Sequence, residues 1–208
     1  MRAQYAILLD GGFVTKKLYE QHSRFATAAD IVALCTAIRS RSELSDYELL
    51  RIYYYDAPPS DAAVRTPVTG NSRNLATTQR FRESQRLYDQ LILQPEFALR
   101  MGETRLSPNH WRLKPRTISQ LVAQPRALTD NDFVLDITQK GVDIRIGMDM
   151  ARLALRNQVR AVVVVTGDSD FVPAFKFVRR EGVKVLLATL GHRGTRQELK
   201  QHADFVIS

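Results

Sequence analysis

Ala161-Val-Val-Val-Val165 runs directly into Thr166-Gly167-Asp168-Ser169-Asp170-Phe171. A β-branched run this short, closed by Thr-Gly, predicts a strand buried on both faces, as at the centre of a parallel sheet. In open α/β sheets, ligands sit in the crevice beyond the carboxyl ends of the strands. Asp168 and Asp170 fall at that end. A second instance stands near the start of the chain, where Tyr5-Ala-Ile-Leu-Leu9 leads into Asp10-Gly11-Gly12. Buried strands that deliver carboxylates to one sheet edge predict an acidic, cation-binding site.

Helical periodicity alternates with these strands. Helices are expected near Val14–Gln21 and over Ala28–Arg39, where Ile31, Leu34, Cys35 and Ile38 share a face. A strand at Leu49–Tyr55 ends at Asp56, before the Pro58-Pro59 break. Further helices are expected at Thr77–Leu93, Ile118–Ala123, Val142–Arg156 and Val172–Arg180, with strands at Val183–Leu190 and Phe205–Ile207 and a short helix between these last two. Such alternation predicts an α/β fold with a parallel sheet and helices on both faces.

Composition narrows the class. At 208 residues and 44% hydrophobic content, the chain suits one large α/β domain or a domain with an insertion. Its apolar runs fall well short of the ~18 residues that span a bilayer, so no membrane partner is expected. The start of the chain enters a strand within a few residues, and no targeting peptide is expected there. Cys35 is the only cysteine, which rules out an internal disulfide and makes a reducing, cytoplasmic location the default. Charge is uneven: Arg65 to Arg126 holds eleven Lys/Arg against four acids, and so carries most of the net +8. Phe81, Tyr88, Phe97 and Trp111 are interleaved with these arginines. That pattern suits either a phosphate backbone with stacked bases or a solvated face over core aromatics. Arg112, Lys114 and Arg116 alternate, and would line one side of an extended stretch with Trp111 opposite.

Each carboxylate has a plain reading beside the functional one. Val142, Ile146, Asp149 and Leu153 follow the spacing of a buried helix stripe, so Asp149 must meet either an arginine or a cation. Asp143 lies roughly 120° around the same helix and serves either a site or the helix start. Asp168 and Asp10 are site acids or turn formers, Asp170 a site acid or a helix cap, and Asp56 a weaker candidate at a turn. The donors are nearly all oxygen, without zinc-type His or Cys spacing, which suits Mg²⁺ or Mn²⁺. Neither a GxxxxGK nor a GxGxxG loop is present, which argues against nucleoside triphosphate or dinucleotide use.

Ile7-Leu-Leu-Asp-Gly-Gly-Phe13, Tyr53-Tyr-Tyr-Asp-Ala-Pro-Pro59, Gln139-Lys-Gly-Val-Asp-Ile-Arg-Ile-Gly-Met-Asp149 and Val165-Thr-Gly-Asp-Ser-Asp-Phe-Val-Pro-Ala174 follow one another in order. With Gly182-Val-Lys-Val and Leu190-Gly-His192, they make the chain resemble NYN-domain proteins of the bacterial LabA-like group, within the PIN-like nuclease superfamily. The resemblance implies a three-layer α/β/α sandwich with a mainly parallel sheet ordered 3-2-1-4-5. On this reading residues 1–208 form one NYN domain with a basic insertion or cap at about 60–133. It implies a Mg²⁺ or Mn²⁺ site with catalytic acids Asp10, Asp149, Asp168 and Asp170, and with Asp143 as a further ligand. It also implies endoribonuclease activity on RNA; the basic segment, through Arg112, Lys114 and Arg116, is expected to supply the backbone contacts, and self-association is left open. Many relatives carry an Asn shortly after the first Asp, where Gly12-Phe13 stand here. The rival expectation is a non-catalytic RNA-binding or regulatory module that keeps the fold.

Overall fold

The Val162–Val165 run does what a doubly buried strand must: alternate residues face opposite layers, and every one of them is inaccessible to solvent. Around it the computed structural model, which describes residues 2–207, arranges β1 (Ala3–Asp10), α1 (Gly11–His22), α2 (Ala28–Arg39), β2 (Tyr47–Asp56), β3 (Ala63–Arg65), β4 (Ser72–Asn74), α3 (Gln79–Leu91), β5 (Phe97–Met101), β6 (Glu103–Leu113), α4 (Pro115–Ala123), β7 (Phe133–Lys140), α5 (Val142–Leu155), β8 (Ala161–Val165), α6 (Val172–Arg180), β9 (Lys184–Ala188), α7 (Gln197–Gln201) and β10 (Phe205–Ile207). The main sheet has six strands in the order β10-β9-β8-β1-β2-β5, all paired in parallel. Numbered by their own succession and read from the β5 edge, these are 3-2-1-4-5-6. The implied order therefore holds, with the last strand added at the edge.

Side-chain alternation builds two cores. Ile7, Leu9, Val163 and Val165 face α1, α2 and α3 through Val14, Leu18, Ile31, Cys35, Ile38, Leu87 and Leu91. Ala6, Leu8, Val162 and Val164 face α5, α6 and α7 through Ile146, Met150, Leu153, Phe175, Val178 and Leu199. The result is a three-layer α/β/α sandwich with a central parallel sheet.

The basic segment divides between the sheet and its surroundings. Phe97–Met101 is the edge strand of the main sheet, paired with Ile52–Asp56, so the segment from 60 to 133 is not wholly an insertion. Phe97-Ala-Leu-Arg-Met101 is apolar but short and only half-buried, and it lies among arginines and glutamines that mask it. Immediately after it, β6 and β7 form an antiparallel arm whose base pairs Glu103 with Lys140. The Gly102 amide donates to the Asp56 carbonyl at 2.7 Å, which ties the arm to the carboxyl end of β2. The arm returns directly into α5, and thus springs from the same edge as the strand-end acids. Strand β6 stops at Leu113 and Pro115 opens α4, a position where its missing N–H is harmless. Arg112, Lys114 and Arg116 therefore do not share one extended face: Arg112 lies on the strand and Arg116 on the helix. Trp111 is half-buried, its indole N–H donating to the Arg65 carbonyl at 2.7 Å.

Candidate active site

Asp10 closes β1 and caps α1 at once. Its Oδ1 accepts the Phe13 amide at 3.1 Å, and its Oδ2 accepts the Thr166 hydroxyl at 2.9 Å. The turn leaves no room for a side chain at Gly11, where a Cβ would lie 2.6 Å from the Tyr55 carbonyl oxygen and 2.8 Å from the Tyr54 ring. Burial pushes the Asp10 pKa up to about 6; the two hydrogen bonds oppose that rise, while Asp143 and Asp56 add to it. Thr166, fully buried, also accepts the Asp168 amide at 3.2 Å, and so links the ends of β1 and β8.

Asp168 takes the turn-forming role its position allows, whereas Asp170 does not take the capping one. The Asp168 Oδ1 accepts the Asp170 amide at 2.9 Å and caps the short turn Ser169–Phe171 ahead of α6. Asp170 caps nothing, and its side chain is exposed. Asp143 occupies the first turn of α5 without capping it. Partial burial raises the Asp143 pKa, and Asp168 and Asp170 raise it further by repulsion. Asp10, Asp143, Asp168 and Asp170 thus share one electrostatic field at the carboxyl edge of the sheet.

Asp149 resolves the other way. It is held by Arg100, with Nε 2.8 Å from Oδ2 and Nη2 3.0 Å from Oδ1, and its Oδ2 also accepts the Tyr55 hydroxyl at 2.9 Å. The arginine foreseen as an alternative to a cation is present. Asp56, the weaker candidate, proves to be a buried hub. Its Oδ1 accepts the Ala57 amide at 2.8 Å and the Gln139 side-chain N–H at 3.3 Å. Its Oδ2 accepts the hydroxyls of Tyr54 at 3.2 Å and Tyr88 at 3.1 Å. Tyr88 is therefore a core residue rather than a stacking platform.

A carboxylate offers about four lone-pair sites. Asp56 uses all of its own, Asp149 nearly all, Asp10 half, and Asp168 fewer. The oxygens open to a cation belong to Asp10, Asp143, Asp168 and Asp170, a hard set suited to Mg²⁺ or Mn²⁺. Among the described residues, however, no three His, Cys, Asp or Glu converge as a ready metal group. Beside the acids, the Phe13 and His192 rings meet edge to face at 5.7 Å over Gly167, where a Cβ would lie 2.6 Å from Phe13. Two clefts of about 460 and 470 Å³ lie elsewhere, one lined by Lys176, Arg180 and Lys184, the other by Phe81, Arg82 and Asp89. Lys114 and Arg112 already have partners: Lys114 donates to the Asn131 carbonyl at 2.6 Å, and Arg112 stands 3.5 Å from Asp136.

With this geometry in view, comparison with known proteins points to a family. Residues 110–208 match the NYN domain. NYN domains belong to the PIN-like nuclease superfamily, so the resemblance read from the motifs holds at that level. The NYN match contains Asp143, Asp149, Asp168 and Asp170 but stops short of Asp10 and Asp56, which the sheet brings to the same edge. No curated protein matches the chain. Among solved structures, a protein of unknown function from Vibrio parahaemolyticus is similar at TM-score 0.53 and 17% identity, over 99% of this chain and 92% of that one. That likeness concerns the fold alone, and it covers the N-terminal half that lies outside the NYN match. No helix among the described residues is long and apolar enough to cross a membrane.

Proposed function

We propose that this chain is a divalent-metal-dependent endoribonuclease acting on single-stranded RNA in the cytoplasm. The observation that carries the reading is the set of carboxylates with unused oxygens at the carboxyl edge of a parallel sheet, repelling one another, in a chain with an NYN match. Asp10, Asp143, Asp168 and Asp170 would hold Mg²⁺ or Mn²⁺. When bound, such an ion supplies an activated water and stabilises charge on phosphodiester oxygens. The protein's own residues prepare the ground. Thr166 and the Phe13 amide fix the Asp10 carboxylate, and the Asp170 amide fixes that of Asp168. Arg112, Lys114 and Arg116, on and beside the arm, would draw the phosphate backbone toward the edge. Hydrolysis in this arrangement leaves 5′-phosphate and 3′-hydroxyl ends.

The test incubates wild type and Asp168→Asn with labelled single-stranded RNA and DNA in Mn²⁺, Mg²⁺ or EDTA. RNA cleavage by the wild type in metal, absent in EDTA and in the variant, is the expected result. One observation favours a second reading, a non-catalytic RNA-binding module: the acids do not converge as a ready three-ligand group. That reading expects RNA binding without cleavage in any metal.

A further inference from the structure

Strand register sets Asp10, Tyr55 and Arg100 side by side across β1, β2 and β5. Aligned residues of neighbouring parallel strands point to the same face, and two strand spacings separate the Asp10 and Arg100 backbones by about 10 Å. On that face the bidentate grip of Asp149 fixes the guanidinium, and the Tyr55 hydroxyl fixes Asp149 in turn. The two partners are unequal: the Asp149 side chain is 8% exposed and that of Arg100 is 41% exposed. The buried partner holds and the exposed one is presented. Nε and one edge of Nη2 are engaged, which leaves the end formed by Nη1 and Nη2. Nη1 has no hydrogen-bond partner among the described residues. A guanidinium end of this kind matches phosphate oxygens in a bidentate fork.

We propose that Arg100 binds a phosphodiester group adjacent to the one at the acids, and that Asp149 is its positioning residue rather than a cation ligand. The identity of the polymer rests on the ribonuclease reading; the phosphate grip itself does not require cleavage. A plain ion pair fastening the edge strand to α5 would make a different prediction, namely a change in stability with no change in RNA binding. Removing Arg100 outright would strand a buried carboxylate, so the informative changes keep a polar partner for it. Arg100→Lys retains the charge and loses the fork; Arg100→Gln removes the charge and retains hydrogen bonding.

The experiment has two arms. In EDTA, the affinity of a short fluorescein-labelled single-stranded RNA is measured by anisotropy against salt. Arg100→Lys should weaken binding about tenfold, in the range of one charge-assisted hydrogen bond. Arg100→Gln should also shallow the log–log salt slope by about 0.7, the value for one phosphate on a single strand. In the second arm, thermal melts with and without Mn²⁺ compare Asp149→Asn with Asp168→Asn. The Mn²⁺-induced rise should persist in Asp149→Asn and disappear in Asp168→Asn. Wild-type affinity and slope in both folded Arg100 variants would overturn the proposal, as would absence of RNA binding by the wild type. Loss of the Mn²⁺ response in Asp149→Asn would overturn the role given to Asp149. Failure of the wild type to cleave RNA in any metal would instead remove the ribonuclease reading and leave both arms readable.

Discussion

Asp10→Asn isolates the electrostatic cost of the acidic edge, and its sign depends on pH. The folded-state pKa of Asp10 is about 6 against an ordinary 3.8. At roughly 1.36 kcal/mol per pKa unit, that difference amounts to about 3 kcal/mol. A raised folded pKa means that the native state holds its proton more tightly than the unfolded chain. Stability from this group is complete below the unfolded pKa and is lost as pH rises through the folded one. The metal-free wild type should therefore lose up to about 3 kcal/mol, relative to the variant, between about pH 4 and about pH 7. Asparagine keeps an oxygen for the Phe13 amide but withdraws the acceptor that Thr166 uses, a pH-independent cost of about 1 kcal/mol. The variant should thus be the less stable protein near pH 4 and the more stable one near neutrality. Urea denaturation in EDTA across this range, fitted for both proteins, reads the difference directly. A difference that stays constant with pH would refute the assignment of the raised pKa to Asp10.

Other perturbations test neighbouring parts of the site. Asp168→Asn should abolish RNA cleavage while the melting temperature stays close to wild type, because asparagine can still accept the Asp170 amide. Mn²⁺ should stabilise the wild type by mass action, by about 2.7 kcal/mol at a hundredfold excess over its dissociation constant; thermal melts in Mn²⁺ and EDTA check this, and the absence of any shift would favour the non-catalytic reading. Gly11→Ala should cost about 1–3 kcal/mol or more in chemical denaturation, since the new methyl meets the Tyr55 carbonyl and the Tyr54 ring. Replacing Arg112, Lys114 and Arg116 together should weaken RNA binding and shallow its salt slope by up to about 2, near 0.7 for each phosphate no longer neutralised. An unchanged slope would detach the arm from RNA.

The sheet was legible because burial on both faces demands continuous branched apolar runs, and those runs are conspicuous at Tyr5–Leu9 and Ala161–Val165. Helices α2 and α6 were legible to the residue, since apolar spacing and flanking polar residues mark their ends. The arm was not. Its strands are half exposed, β6 contains Pro108, and their pairing satisfies the backbone without the hydrophobic alternation that would announce it. Asp149 was legible as an anomaly on a buried stripe, but its partner was not. Arg100 lies 49 residues away on an edge strand, and no local pattern connects the two. The hub at Asp56 is hidden from the sequence for a similar reason: three of the groups that saturate it, from Tyr54, Tyr88 and Gln139, come from β2, α3 and β7.

Asp10 and Asp56 show why residue type and position alone do not define a site. Both close a parallel strand at the same edge, both are largely buried, and burial raises the pKa of each. What separates them is leftover acceptor capacity. Asp56 receives four donors on its two oxygens, so a cation could bind there only by displacing hydrogen bonds that hold β2, α3 and β7 together. Asp10 receives two, from groups that orient the carboxylate without filling it. The surroundings differ in the same sense. Aspartates 143, 168 and 170 share the Asp10 edge with oxygens still open, whereas hydroxyl and amide donors surround Asp56. Desolvation by itself makes a carboxylate costly, and the fold can offset that cost with donors of its own or leave it for a cation to offset. At Asp56 the fold has supplied the donors; at Asp10 it has oriented the oxygens and left the repulsion standing.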